Sequence, residues 1–234
     1  MSTVGVILAA GSGSRTGLTI PKQFLKLGGK TVLEHSVQTF HDNKGIDEIV
    51  IVTAPEYMEQ VKGLVQKNSW SKVTAILTGG KERYESSLAA VGHFSHAPET
   101  IMLFHDAARP LVSKRIIDDA LKAMESFDAI DVAIPAVDTI VQCDSKGTCM
   151  TAIQDRSLLW HMQTPQGFRQ KTIAEAYRIA LKDARFNTTD DCGTVLRYLP
   201  EVKVGIVPGS KENIKLTYAD DLSLLKFLLS KRER

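Results

Sequence analysis

Arg15 and Lys22 stand seven residues apart in a glycine-bearing stretch that follows a short apolar run, Val4-Gly-Val-Ile-Leu8. Glycine lets a backbone turn sharply and approach a ligand closely, so that its N–H groups point at phosphate oxygens. Arginine adds a planar fork of donors and lysine a compact point charge. Such a cradle, with Gly11, Gly13 and Gly17 in the loop, suits a nucleoside triphosphate. The glycines are spaced two and four residues apart, which matches neither G-x-G-x-x-G nor G-x-x-x-x-G-K-[ST]. On the glycines alone, an ordinary strand–loop junction with a solvated arginine explains the stretch as well. Pro21-Lys22-Gln23-Phe24 just beyond moves the balance toward phosphate binding, against a plain surface lysine after a proline. A second chemical candidate is Asp106, at the end of the apolar run Ile101-Met-Leu-Phe104. An unpaired carboxylate there is costly to bury, which points to a metal ligand. The other readings of Asp106 are a cap for the next helix or an ion pair with Arg109.

The elements that must position these groups alternate. Apolar runs at 4–8, 46–52, 73–77 and 101–104 read as buried strands. Helical spacing follows each of them: Leu33, Val37 and Phe40 behind a Thr31 cap; 56–66 with Tyr57, Val61 and Leu64 inward; 84–94; and 116–124. That alternation predicts an α/β fold, a mostly parallel sheet with helices on both faces. Ligands in such sheets sit beyond the carboxyl ends of the strands, where the 9–15, 79–83 and 105–110 segments fall. The rhythm then changes. Residues 131–143 are long and β-rich, Asp144-Ser-Lys-Gly147 is a turn, and 149–154 reads as a return strand. A hairpin without a following helix would project from the sheet as an arm, or lie flat as a plain surface hairpin. Cys143 and Cys149 flank its turn, as two unpaired thiols or facing each other across it. Thr172–Leu181 reads as a helix and Thr188-Thr189-Asp190-Asp191 as the cap of another. A late strand spans 202–207, and the C-terminal helix carries Leu222, Leu225 and Leu229 as its core stripe.

Ala9-Ala10-Gly11-Ser-Gly13-Ser-Arg15 followed by Pro21-Lys22-Gln23-Phe24 resembles the signature of nucleotidyltransferases, and most of all the cytidylyltransferases of polyol phosphates. The resemblance continues in order through Gly79-Gly80-Lys-Glu-Arg83, His105-Asp106-Ala-Ala-Arg109-Pro110, Gln163-Thr164-Pro165-Gln166 and Glu212-Asn213-Ile214-Lys215-Leu-Thr217, across nearly the whole chain. It implies a three-layer Rossmann-like fold in one domain, residues 1–234, with a dimerisation β-arm at about 137–156. It implies CTP as co-substrate and a divalent cation, normally Mg²⁺, held by Asp106. Arg15, Lys22 and Lys215 become the catalytic cations. Gly80 and Ser86, with the Ala9-Ala10-Gly11 backbone and Gly13, become the CTP-binding set. Arg109, Thr139, Arg156 and Thr164 become the polyol-phosphate set, with Thr139 and Arg156 on the arm, within reach of a second subunit's site. His105 reads as structural, because an ionised phosphate needs no general base. Lys81 stands where acidic residues are common in the family, Thr16 replaces a usual methionine, and Arg83 reads equally as a structural ion pair. For Arg109, Arg156 and Lys215 the alternative is solvated surface, and Asp155 offers Arg156 a local partner.

The first acceptor to consider is 2-C-methyl-D-erythritol 4-phosphate, of non-mevalonate isoprenoid synthesis, since Leu33-Glu-His-Ser-Val37, the Ala-Ala of 105–110 and Leu159-Trp-His161 resemble that branch. Val137-Asp-Thr-Ile-Val141 reads closer to the sister ribitol-5-phosphate cytidylyltransferases, and Thr188–Gly193 fits neither branch cleanly. A non-catalytic nucleotide-binding protein on the same fold is the reading from another class, opposed by the presence of Arg15, Lys22 and Asp106 together. A dehydrogenase lacks its glycine spacing. A net charge of +2 gives no case for nucleic acid as a partner. No 18-residue apolar run predicts a membrane span. The chain enters a strand without a basic region and cleavage site, and its three cysteines lack metal spacing. Both features lead us to expect a reducing cytoplasm.

Overall fold

β1 (Thr3–Ala9) is buried at every position, as a strand covered on both faces must be. The computed structural model describes residues 2–11 and 20–232. Beyond the first loop a tight turn joins β2 (Lys26–Leu27) to β3 (Lys30–Thr31), and α1 (Val32–His41) follows directly. Thr31 caps α1 and Glu34 closes a capping box, Thr31 N donating to Glu34 Oε2 at 2.7 Å. The βα alternation continues through β4 (Glu48–Thr53), α2 (Met58–Asn68), β5 (Val73–Thr78), α3 (Arg83–His93), β6 (Ile101–Asp106) and α4 (Lys114–Ala123). Next come β7 (Ala129–Pro135), the hairpin strands β8 (Val141–Cys143) and β9 (Met150–Ile153), and β10 (Trp160–Arg169). The chain closes with α5 (Gln170–Ala180), α6 (Asp191–Tyr198), β11 (Val204–Pro208) and α7 (Asp221–Arg232).

The seven-stranded sheet has the order β11-β7-β10-β6-β1-β4-β5. β1 pairs in parallel with both β4 and β6, so the chain leaves β1 in one direction and later returns to its other side. The carboxyl ends of β1 and β6 therefore flank the switch point at which such sheets bind ligands. Val37, Phe40, Val61, Ile116 and Ala120 from α1, α2 and α4 pack on one face. Ala90, Val91, Ile173, Tyr177 and Val195 from α3, α5 and α6 pack on the other. A third cluster under α7 joins Leu225 to Leu27, Ala108 and Leu216, and Leu216 N donates to Ala108 O at 2.8 Å. That seam ties the segment bearing Lys215 to the end of β6. No helix among the described residues is long and apolar enough to cross a membrane.

Two features depart from the sequence reading. The stretch 131–143 is not one β element: β7 stops at Pro135, which has no N–H for the ladder, and β8 starts at Val141. β10, which the sequence reading lacks, enters the sheet antiparallel to both β6 and β7, with an irregular register between Met162 and Gln166. The Thr164–Pro165 bond there is cis. β8 and β9 form a separate two-stranded hairpin opposing Cys143 to Met150, and Cys143, Cys149 and Cys192 are all free. Val137, Val141, Met150, Ile153, Leu158 and Trp160, on and beside the hairpin, are exposed, while Ile140 is half-buried.

Candidate active site

Two cavities open beside the carboxyl ends of β1 and β6. The first, of about 190 Å³, is bounded by Ala9, Ala10 and Gly11 after β1, Lys22, Gly80 and Ser86. Backbone closeness shapes it. A Cβ at Gly79 would stand 2.6 Å from Ser86 Oγ and closer still to Ala10, and one at Gly80 would strike Glu85. Only glycine lets this turn lie against the end of β1. Lys22 begins a 3₁₀ turn after Pro21, and buried Gln23 anchors that turn by donating from Nε2 to Ala9 O at 2.9 Å. Gln23 thus fixes the lysine's place at the cavity, a role the sequence reading missed.

Arg83, Asp106 and Lys215 form the wall shared by both cavities. Arg83 uses every part of its guanidinium: Nε donates to Asp106 Oδ1 at 3.2 Å, Nη1 to Asp191 Oδ2 at 2.6 Å, and Nη2 to Gln166 Oε1 at 3.3 Å. Lys215 Nζ lies 2.6 Å from Asp106 Oδ2. Burial would push the Asp106 carboxyl upward, but the charges of Arg83, Lys215 and Arg109 outweigh it and hold the group well below the carboxylate range. Asp106 is therefore ionised. Asp191 is fully buried and also accepts from Tyr177 OH.

The second cavity, of about 210 Å³, adds Arg109, Gln163, Thr164, Gln166, Thr189 and Asp190 to that wall. Arg109 is held by two carbonyls, donating from Nη1 to Asn213 O at 2.7 Å and from Nη2 to Met162 O at 3.3 Å. Its Nε has no partner among the described residues. No carboxylate hydrogen-bonds it among the described residues, so its charge, which also acts on Asp106, can act on an anion in the cavity. Thr164 Oγ1 lies 2.9 Å from His105 Nδ1, whose other ring nitrogen meets Arg109 O at 3.1 Å. Burial lowers the His105 pKa to about 4, so the ring is neutral and serves as a strut.

Asp131, behind Gln166, accepts from its Nε2 at 3.0 Å. Its Oδ2 has no partner among the described residues, and burial together with Asp190 raises its pKa to about 7. A carboxyl raised on folding binds its proton more tightly in the native state. The stability it contributes is thus full below the unfolded pKa and lost as pH rises toward 7. Asp131→Asn keeps the acceptor for Gln166 and should stabilise the fold at pH 8 by roughly 1–3 kcal/mol, with no gain at pH 4. Urea unfolding at both pH values checks this; equal shifts at both would refute the assignment.

A family model described as 2-C-methyl-D-erythritol 4-phosphate cytidylyltransferase matches residues 3–231. The chain belongs to this cytidylyltransferase family. A bifunctional ribulose 5-phosphate reductase/CDP-ribitol pyrophosphorylase of Haemophilus influenzae is 44% identical over 98% of this chain, which spans 48% of that protein. The 2-C-methyl-D-erythritol 4-phosphate cytidylyltransferase of Thermobifida fusca is 43% identical, over 95% of this chain and 91% of its own. Among solved structures, the 4-diphosphocytidyl-2C-methyl-D-erythritol synthase of Anaerococcus prevotii superposes with a TM-score of 0.84, at 26% identity, covering 98% of each chain.

For a member of this family, the structure brings most of the expected residues together. Ala9, Ala10, Gly11, Lys22, Gly80 and Ser86 line the first cavity, Arg109 and Thr164 the second, and Asp106 and Lys215 both. Gly13, Arg15 and Thr16 lie outside the described residues. Thr139 and Arg156 lie at neither cavity; both are exposed beside the hairpin, Arg156 Nη1 donating to Val137 O at 2.8 Å. Arg83 proves to be an ion pair, as one reading allowed, but with Asp106 itself. In the sequence, Gln166, Asp190 and Asp191 stand out only as parts of a motif and a helix cap. No group of three or more His, Cys, Asp or Glu among the described residues could cage a metal. Asp106, ionised and with one described partner on each oxygen, keeps lone pairs free. It suits an ion such as Mg²⁺, which takes one carboxylate and completes its shell with phosphate and water oxygens.

Proposed function

We propose that the protein joins CTP to 2-C-methyl-D-erythritol 4-phosphate, giving the CDP-polyol and pyrophosphate for non-mevalonate isoprenoid synthesis. The observation that carries this is the pair of cavities sharing one charged wall of Arg83, Asp106 and Lys215. A phosphate oxygen of the acceptor attacks the α-phosphorus of CTP. The bond to the bridging oxygen breaks, and pyrophosphate departs with its electron pair. Little covalent work falls to the protein, which must align the two phosphates and offset their charge. Backbone groups of Ala9, Ala10, Gly11, Gly13 and Gly80, with the Ser86 hydroxyl, read the cytosine edge. Lys22 and Arg15 stabilise the α-phosphate and the departing pyrophosphate. Lys215 and Arg109 hold the acceptor phosphate, with Thr164 behind them. Asp106 would hold Mg²⁺, which when bound neutralises phosphate charge. His105, neutral and buried, takes no proton from a phosphate that is already ionised.

The hairpin is the arm of a homodimer, on the support of its exposed apolar side chains. In that assembly Thr139 and Arg156 complete the partner's acceptor site. The free thiols fit a cytoplasmic protein. Ribitol 5-phosphate is the second acceptor to consider, favoured by Val137-Asp-Thr-Ile-Val141 and by the name of the Haemophilus relative, a bifunctional reductase/CDP-ribitol pyrophosphorylase. Pyrophosphate release with CTP and Mg²⁺, offering both acceptors separately, decides between them. The expected result is kcat/KM at least about tenfold higher for the methylerythritol phosphate. The reverse preference assigns the enzyme to polymer precursor supply; no release with either refutes the proposal.

A further inference from the structure

Asp190 lines the second cavity, and the reaction described above gives it no task. The cavity wall runs in steps: Lys215 to Asp106 at 2.6 Å, Asp106 to Arg83 at 3.2 Å, Arg83 to Gln166 at 3.3 Å, and Gln166 Nε2 to Asp190 Oδ1 at 3.4 Å. Lys215 and Arg83 therefore stand at the end shared with the first cavity, and Asp190 stands beyond Gln166. The attacking phosphate must lie at the shared end, beside the α-phosphate of CTP. What extends toward Asp190 is the rest of the acceptor, its hydroxyl-bearing carbon chain.

A carboxylate repels a phosphate and accepts hydrogen bonds from hydroxyls. Asp190 Oδ1 takes Gly193 N–H at 2.7 Å, capping α6, and Oδ2 takes the Thr189 hydroxyl at 3.2 Å. Each carboxylate oxygen has two acceptor positions, and the Thr189 side chain is exposed and can turn to a ligand. We infer that Asp190, with Thr189, reads the hydroxyls at the far end of the acceptor and turns away acceptors bearing a second anion there. This inference rests on the second cavity being the acceptor site. It makes Asp190 a specificity-determining residue for the acceptor.

Asp190→Asn tests it cleanly, because asparagine caps a helix as well as aspartate and keeps the oxygen that Gly193 needs. The full-length protein is assayed at saturating CTP with methylerythritol 4-phosphate and ribitol 5-phosphate. Each is paired with an analogue lacking the hydroxyl farthest from the phosphate, and ribitol 5-phosphate also with ribitol 1,5-bisphosphate. In the parent, loss of that hydroxyl should raise the acceptor KM about tenfold or more, and the bisphosphate should be refused. In Asp190→Asn the KM for the intact acceptor should rise about tenfold, with the CTP KM and the melting temperature unchanged. The penalty for the missing hydroxyl should shrink below about threefold, and the bisphosphate should be accepted. A variant that sorts these acceptors as the parent does would show Asp190 to be a helix cap alone. Failure of the parent to transfer cytidylyl to any polyol phosphate overturns the reading of the cavity, and this inference with it.

Discussion

Arg83→Met is expected to cost both stability and turnover, through different partners of the same side chain. Asp191 is fully buried and Asp106 nearly so, and Arg83 bridges them at 2.6 and 3.2 Å. Removing the cation leaves the buried Asp191 carboxylate with Tyr177 OH as its one side-chain partner among the described residues. An orphaned buried charge destabilises by about 3–5 kcal/mol. For a domain of this size that is a fall in Tm of roughly 6–20 °C. Turnover should fall about a hundredfold, since Asp106 loses the Nε–H contact that, opposite Lys215, fixes its carboxylate. The two losses are separable. In Arg83→Met/Asp191→Asn the stranded charge is gone, so Tm should recover by several degrees while kcat stays low. Recovery of both together would mean that Arg83 serves the fold and not the reaction.

Asp106→Asn should lower kcat by roughly a thousandfold, the scale of a principal electrostatic group at a phosphoryl centre. Arg83 keeps Asp191 and Gln166, so the fold loses little and Tm should move by only a few degrees. CTP affinity measured by calorimetry should change no more than a few-fold, because Ala9, Ala10, Gly11, Lys22, Gly80 and Ser86 still line the first cavity in the variant. A kcat within tenfold of the parent would remove Asp106 from the reaction. A CTP affinity that falls as far as kcat would instead make it a ground-state binding group.

Local signals carried the parts of this molecule that depend on neighbours in sequence. The continuous apolar runs at 4–8 and 101–104 fall within β1 and β6, and Thr31 with Glu34 forms the capping box at α1. Gly79 and Gly80 are glycines because Ala10, Ser86 and Glu85 leave no room for a side chain. Distant pairings left no such trace. Arg83 meets Asp191 across 108 residues, and Gln166 meets Asp131 across 35. Strand β10 is hidden for the same reason. Gln163, Thr164 and Gln166 are buried, yet their polarity breaks the apolar pattern by which a central strand is read. Each is satisfied by a partner elsewhere: Gln163 by Ser210 O, Thr164 by His105, Gln166 by Asp131. Buried polar strands are legible only once their partners are placed.

The insertion of β10 between β6 and β7 also sets the order in which the molecule can be completed. β1, β4, β5 and β6 pair among themselves using only residues up to Asp106, so their block needs nothing made later. β7 reaches that block only through β10, which ends at Arg169. A ribosome-bound chain shorter than this holds the floor of the first cavity but exposes the unpaired edge of β6. Such an open edge is a template for pairing with other chains. The second cavity stays incomplete until Gln163–Gln166 slot in, and both cavities lack Lys215 until still later. The biosynthetic direction of the chain thus runs from the first cavity to the second, and its vulnerable interval lies between Asp106 and Arg169.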